Sequence, residues 1–283
     1  MIARLAVLGA GTMGHGIAHA AVAAGYETRL FDVDPASLDR GRTAIAAIVA
    51  KGVELQKVAP ADADAMLGRL HADADLARAL EGADFVIEAA PERIDLKIQL
   101  FAQIERLAPP AAIVTSNTSA LSITELAATL SDASRVAGMH FFNPVHKMKL
   151  VEIVRALETS ASTIDTVSDV ARRMGKETVL VRESPGFITT RVNASIGNEA
   201  FYMLMEGVAS AEDIDKALKL GLNHPMGPFE LVDLVGLDTR LSILEYLHRT
   251  LGEKYRPCPL LVQYVKAGRL GRKAGKGVYE YPR

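Results

Sequence analysis

Leu5-Ala6-Val7-Leu8-Gly9-Ala10-Gly11-Thr12-Met13-Gly14 places an apolar run directly before a Gly-x-Gly-x-x-Gly turn that opens into a helix-forming stretch. This junction decides the fold. A short apolar run is the mark of a strand buried on both faces. In such a turn Gly9 permits the tight bend, Gly11 lets a backbone approach a pyrophosphate, and Gly14 lets helix and strand pack closely. Ala10, Thr12 and Met13 complete the loop, so phosphates would meet free N–H groups and the positive end of the helix. The glycine pattern alone is weak. It gains force from Asp32, which ends the next strand run eighteen residues past Gly14. A carboxylate there accepts hydrogen bonds from the adenosine ribose hydroxyls and repels a 2′-phosphate, which favours NAD over NADP. Arg29 and Arg40 work against that preference, and a carboxylate that only caps a turn is the plainer reading.

Outward from this junction, short branched apolar runs alternate with longer stretches of helical period, the pattern of a parallel sheet covered by helices. Strands are expected at Arg4 to Leu8, Thr28 to Phe31, Asp84 to Ala89, Ala112 to Ser116, Val136 to His140, Leu150 to Arg155 and Thr178 to Arg182. Asp34 followed by Pro35 reads as an N-cap with proline at the first helical position. Gly25 and Gly175 stand where helix ends need positive φ. The segment of about 33–83 is longer than a single crossover needs and is expected to form two or three helices with a projecting pair. After Ser184-Pro185-Gly186 the strands stop. Helices are expected at Phe187 to Met205, Ala211 to Leu220, Pro228 to Leu251 with a break near Gly236, and Pro259 to Ala267. The expected architecture is therefore a Rossmann-type, doubly wound, mostly parallel α/β domain over residues 1–183, followed by an all-helical domain over 184–283.

Composition agrees with two domains and excludes several roles. The chain has 283 residues, against a usual span of about 150 per domain. Lys plus Arg number 32 and Asp plus Glu 34, for a net charge of −2, so the clustered cationic excess of a nucleic-acid binder is absent. Apolar residues make up 49% and charged residues 23%, proportions that supply ample core. The amino terminus lacks the pattern of a signal peptide, and no apolar run approaches the length of a membrane helix. One cysteine, Cys258, allows no internal disulfide and no cysteine-based metal or redox motif. A cytoplasmic protein is expected. His15 and His19 share the four-residue spacing of a zinc pair, but no glutamate base lies between them, so they read as packing or surface histidines and no metal is expected.

Polar residues at successive strand ends carry the chemistry. These are Ser116-Asn117-Thr118-Ser119, His140-Phe141-Phe142-Asn143-Pro144, and Glu152, twelve residues beyond His140. Ligands of doubly wound sheets bind beyond the carboxyl ends of strands. A neutral imidazole there takes a hydroxyl proton while hydride leaves carbon, and a buried carboxylate steadies the imidazolium. A core histidine satisfied by a neighbouring glutamate is the blander alternative.

The combination of Gly9 to Gly14, Ser116 to Ser119, His140 to Pro144, Ser184-Pro185-Gly186-Phe187 and Asn223 to Asp233 resembles the L-3-hydroxyacyl-CoA dehydrogenases, and within them the bacterial 3-hydroxybutyryl-CoA enzymes. The resemblance covers nearly the whole chain. It implies an NAD-dependent oxidoreductase that interconverts an (S)-3-hydroxyacyl-CoA and a 3-oxoacyl-CoA, with His140 as acid/base and Glu152 orienting it. It further implies that Ser119 binds the substrate's 3-oxygen and that Asn143 contacts the nicotinamide side or polarises the reacting carbonyl. Glu92, Lys97 and Asn117 would lie near the cofactor, and Lys273 would reach it from the carboxy-terminal tail unless it belongs to a solvated basic end. Where the family commonly has Asn in Pro-Gly-Phe-x-x-Asn-Arg, this chain has Thr190, which keeps a hydroxyl but lacks the amide's reach. The coenzyme A arm would lie along the 33–83 excursion, with Lys51 and Lys57 as cationic candidates or else ordinary solvated lysines. Apolar residues beyond Pro228 point to a homodimer through the helical domain. The alternatives are a dehydrogenase of a free hydroxy or sugar acid on the same scaffold, and a catalytically silent NAD-binding protein.

Overall fold

Residues 2–282 are described by the computed structural model. Met1 and Arg283, the outermost residues of the two expected domains, lie outside the described residues. The chain divides between Glu183 and Ser184 into two compact units.

The first unit runs β1 (Arg4–Leu8), α1 (Thr12–Ala23), β2 (Glu27–Phe31), α2 (Pro35–Glu54), α3 (Pro60–Gly68), β3 (Leu70–Asp73), α4 (Leu76–Leu80), β4 (Phe85–Glu88), α5 (Ile94–Leu107), β5 (Ile113–Ser116), α6 (Ile123–Ala127), β6 (Val136–Phe141), β7 (Leu150–Arg155), α7 (Ala161–Arg173) and β8 (Glu177–Arg182). Its eight strands form one sheet in the order β3-β2-β1-β4-β5-β6-β7-β8. All neighbours are parallel except β6 and β7. The order reverses between β1 and β4, and this topological switch point opens a crevice at their carboxyl ends. Leu5, Val7, Phe85 and Ile87 build the centre of the core, with Ile17, Ala18, Ala21 and Val22 of α1 against them. The small residues of α1 let the helix lie close to the sheet.

The expected α/β sheet is present, with one element more than the periodicity predicts. The excursion after Asp32 contains α2, α3 and α4, but also β3, Leu70-His71-Ala72-Asp73, which pairs with β2. This strand sits at the sheet edge with none of its residues buried, so it needs no apolar run and leaves no signal in the sequence. Asp34 caps α2 as expected, accepting from Ala36 N and Ser37 N, and Gly25 and Gly175 adopt positive φ.

The second unit is helical: α8 (Thr189–Met205), α9 (Ala211–Gly221), α10 (Pro228–Val235), α11 (Leu237–Leu251) and α12 (Pro259–Lys266). The break expected near Gly236 divides Pro228 to Leu251 into two helices at that residue, whose φ of +106° suits only glycine. Phe201 and Phe229 meet edge to face, 5.2 Å apart, at the centre of its core. Two buried carboxylates organise the rest. Asp215 accepts from Phe229 N and Glu230 N at the start of α10, while Asp233 accepts from Val278 N and Tyr279 N of the tail. Among the described residues, no helix is long and apolar enough to cross a membrane.

Candidate active site

The glycine turn after β1 is shaped by close approach. Gly9 has φ +108°, and a Cβ there would lie 2.6 Å from the Ala89 carbonyl oxygen at the end of β4. A Cβ on Gly14 would lie 1.6 Å from the Gly9 oxygen, so α1 can sit where it does only without a side chain at that point. Gly11 differs, since a Cβ there meets nothing within 4 Å. The backbone at Gly11 thus faces open space, and Gly11 caps α1 without any side-chain acceptor for the first-turn N–H groups. This exposed, donor-rich helix start fits an anionic group.

Asp32 ends β2 beside this turn. Its Oδ2 accepts from Ala10 N at 2.8 Å and its Oδ1 from Asp34 N at 3.0 Å. The carboxylate is therefore fixed in place, and each oxygen keeps a further lone pair for a ribose hydroxyl. The two arginines weighed against it are engaged elsewhere: Arg29 on the Arg78 carbonyl and Glu81, Arg40 on Asp34 and Ser37. The residues around the turn fit an adenine dinucleotide without a 2′-phosphate.

At the ends of β4 and β5 lies a polar network centred on Glu88, the member that the sequence did not single out. Glu88 is fully buried and accepts from Lys97 Nζ at 2.6 Å, Ala90 N at 2.6 Å and Ser116 Oγ at 2.5 Å. Burial pushes its carboxyl above the usual range, while Lys97, Ser116 and the Ala90 N–H pull it back. Lys97 is only 1% exposed; it also donates to the Ala90 carbonyl at 3.0 Å and lies 3.6 Å from Glu92. Glu92 in turn accepts from Thr118 Oγ1 at 2.6 Å and Ser119 N at 2.8 Å, and so anchors the turn that carries Ser119. The one signal for Glu88 in the sequence is a charge ending the otherwise apolar strand Phe85-Val86-Ile87-Glu88.

His140 and Glu152 come together through the antiparallel pairing of β6 with β7, in whose register they are direct partners. His140 Nδ1 and Glu152 Oε2 are 2.7 Å apart, with the residues 5% and 0% exposed. A carboxylate only accepts, so Nδ1 carries the hydrogen and the neutral ring keeps its lone pair on Nε2. Asn117 Oδ1 accepts from Phe141 N at 2.8 Å and ties the turn after β5 to the strand bearing His140. The Phe142 ring tilts against His140 at 4.6 Å. Asn143 follows on an exposed loop. Ser116, His140 and Glu152 thus share the end of the sheet where β1 and β4 open their crevice.

The other expected residues stand on other elements. Lys51 pairs with Glu54 at 2.6 Å, and Lys57 is exposed beyond the end of α2. Thr190 and Lys273 belong to the second unit, where Lys273 Nζ lies 2.7 Å from Asp238 Oδ2. His15 Nδ1 bonds the Gly11 carbonyl at 2.9 Å. His19 is largely buried, and burial, reinforced by His146, Lys176 and His15, holds its pKa down at about 4. That cationic setting suits a packed neutral ring better than a metal ligand.

Comparison with known proteins places these features in a lineage. The model of the 3-hydroxyacyl-CoA dehydrogenase NAD binding domain matches residues 4–184, and that of the 3-hydroxyacyl-CoA dehydrogenase C-terminal domain matches 186–281. The chain is similar to the probable 3-hydroxybutyryl-CoA dehydrogenase of Bacillus subtilis (strain 168), with 47% identity over 99% of this chain and 98% of that one. It is 43% identical to the 3-hydroxybutyryl-CoA dehydrogenase of Bradyrhizobium diazoefficiens over 99% of this chain and 96% of the relative. Its structure is similar to that of (S)-3-hydroxybutyryl-CoA dehydrogenase from Ralstonia eutropha, with a TM-score of 0.96, 42% identity and 100% of both chains covered.

Proposed function

The chain belongs to the 3-hydroxyacyl-CoA dehydrogenase family of NAD-dependent oxidoreductases, and from that premise we propose that it interconverts (S)-3-hydroxybutyryl-CoA and acetoacetyl-CoA with His140 as the acid/base. The observation that carries this reading is the buried 2.7 Å contact between His140 Nδ1 and Glu152. NAD, when bound, supplies the hydride acceptor or donor that no side chain provides. In oxidation, His140 Nε2 takes the proton from the substrate's 3-hydroxyl, and Glu152 stabilises the resulting imidazolium through Nδ1–H. In reduction, the same nitrogen returns the proton to the 3-oxygen. Ser119 donates to that oxygen from the turn anchored by Glu92, and Asn143 lies alongside the reacting carbonyl. Asp32 receives the adenosine ribose, the Gly9 to Gly14 turn the pyrophosphate, and Glu92, oriented by Lys97, the nicotinamide ribose. Thr190 is assigned to the substrate carbonyl, Lys51 and Lys57 to the coenzyme A phosphates, and Lys273 to the cofactor.

Within the same reading the molecule is a cytoplasmic homodimer through its helical unit. The exposed Val192, Val208, Leu220 and Leu222 support the dimer, and the unpaired, buried Cys258 suits a reducing compartment. Coupled oxidation of NADH tests the reaction. Acetoacetyl-CoA is expected to be turned over well and free acetoacetate poorly. A preference for the free acid would replace the CoA reading, and no turnover of either would revive the silent NAD-binding protein. Replacing His140 with Ala is expected to lower kcat by about 10²- to 10⁴-fold with NADH affinity nearly unchanged, and a fully active variant would remove the acid/base role.

A further inference from the structure

We infer that Lys176 is a positioning residue for this reaction: its ammonium clasps the backbone of the loop that carries Asn143 and joins the His140 strand to the Glu152 strand. The inference rests on the reaction proposed above and deepens it.

Lys176 stands between α7 and β8 and is 8% exposed. Its Nζ donates to the Val145 carbonyl at 2.5 Å and to the Met148 carbonyl at 2.8 Å. The titratable groups that share its surroundings are His19 and His146, both held below the usual imidazole range, and burial depresses the Lys176 pKa. A buried ammonium held by two carbonyl dipoles is costly unless those bonds do something. Here they satisfy a loop that lies outside the sheet ladder. Within the loop between β6 and β7, Lys147 N and Met148 N both donate to the Pro144 carbonyl at 2.9 and 3.0 Å.

Two rigid elements therefore grip this loop. From one side, Val145 sits buried over α1, where Gly16 leaves room; a Cβ on Gly16 would come 2.9 Å from Val145 Cγ2. From the other, Lys176 holds Val145 and Met148, its own N–H bonds the Ala171 carbonyl at 3.1 Å, and Glu177 N bonds the Lys149 carbonyl at 2.8 Å. Asn143 is two residues from the clasped Val145. The loop that presents it is thereby held to the helix that begins at the cofactor turn and to the end of α7. A catalytic group misplaced by about 1 Å loses on the order of a hundredfold in rate, so the clasp acts on turnover rather than on initial binding.

The test compares Lys176→Met, which keeps length but loses the donors, with Lys176→Arg, which keeps them. Two quantities are read: amide hydrogen exchange at Lys147 and Met148, and steady-state reduction of acetoacetyl-CoA by NADH. For Lys176→Met, exchange is expected to rise about tenfold or more and kcat to fall about fiftyfold or more, with acyl-CoA KM and NADH dissociation constant within about threefold. Arginine is expected to bring kcat back to within about fivefold of the parent. Unaltered exchange overturns the clasp. Faster exchange with kcat within about twofold of the parent overturns its role in catalysis, as does a loss confined to KM. If the unmutated enzyme does not turn over acetoacetyl-CoA, the reaction assigned above fails, and the exchange measurement still judges the clasp. If Lys176→Met does not fold, Gly16→Ala loads the same loop from α1. Faster exchange and lower kcat are expected there too, and parental values of both would overturn the inference.

Discussion

His19 shows at the scale of one residue how a sequence cue can be real and its chemistry different. Its four-residue spacing from His15 suggests a ligand pair, whereas in the folded chain burial and the nearby His146, Lys176 and His15 keep its ring neutral, with a pKa of about 4 against 6.5 in the unfolded chain. The unfolded chain thus binds a proton that the folded one refuses between those values. The associated stability is present in full above pH 6.5 and is lost as pH falls toward about 4, on the order of 3 kcal/mol before solvent screening. Urea unfolding at pH 7, 5.5 and 4.5 is expected to show a shallower acid loss in His19→Gln than in the parent chain; parallel curves would mean that His19 does not titrate on unfolding. Asp32 teaches a related lesson. Capping the turn and receiving a ribose need not compete, because the two backbone N–H bonds leave lone pairs on both oxygens.

The glycine turn acts as one element with β1 and α1, and its glycines separate by what their missing side chains permit. Gly14→Ala puts a methyl group where the Gly9 carbonyl stands, so α1 must move off β1. The expected result is a clear drop in Tm together with NADH affinity weaker by about tenfold or more, read by thermal unfolding and fluorescence titration. Gly11→Ala adds a methyl group in open space at an ordinary φ of −66°, so stability is expected to change by less than about 1 kcal/mol while NADH affinity still falls. Equal loss of stability in both variants would contradict this division. Elsewhere, the register of β6 with β7 alone brings His140 opposite Glu152.

For the whole molecule, the helical unit leaves Leu220 and Leu222 at 77% and 65% exposure, more than a helix end needs for its own core. Sedimentation at micromolar concentration is expected to give about twice the 30.3 kDa chain mass, and a Leu220→Lys/Leu222→Lys variant is expected to shift toward the single chain. A single-chain mass for the parent protein would remove the dimer. The net charge of −2 says little about binding an anionic coenzyme. Placement matters more, because backbone N–H groups at a helix start receive phosphate without any basic residue.

Features written within a few neighbouring residues were legible in the sequence: the strand and glycine turn at the amino end, the Asp34–Pro35 helix start, the positive-φ glycines and the helical character beyond Ser184. Each depends on local sterics and periodicity, which a short window contains. The polar residues of the candidate site were legible as types at strand ends. The pairing of His140 with Glu152 was legible too, whereas Glu88 with Lys97, Lys176 with the Val145 and Met148 carbonyls, and the edge strand β3 were not, because they depend on register and packing between segments distant in the chain. The sequence by itself determined a parallel α/β scaffold with a dinucleotide turn. Only the tertiary structure decided the other buried pairings, such as Glu88 with Lys97, since burying a charge is tolerable only where folding brings it a partner.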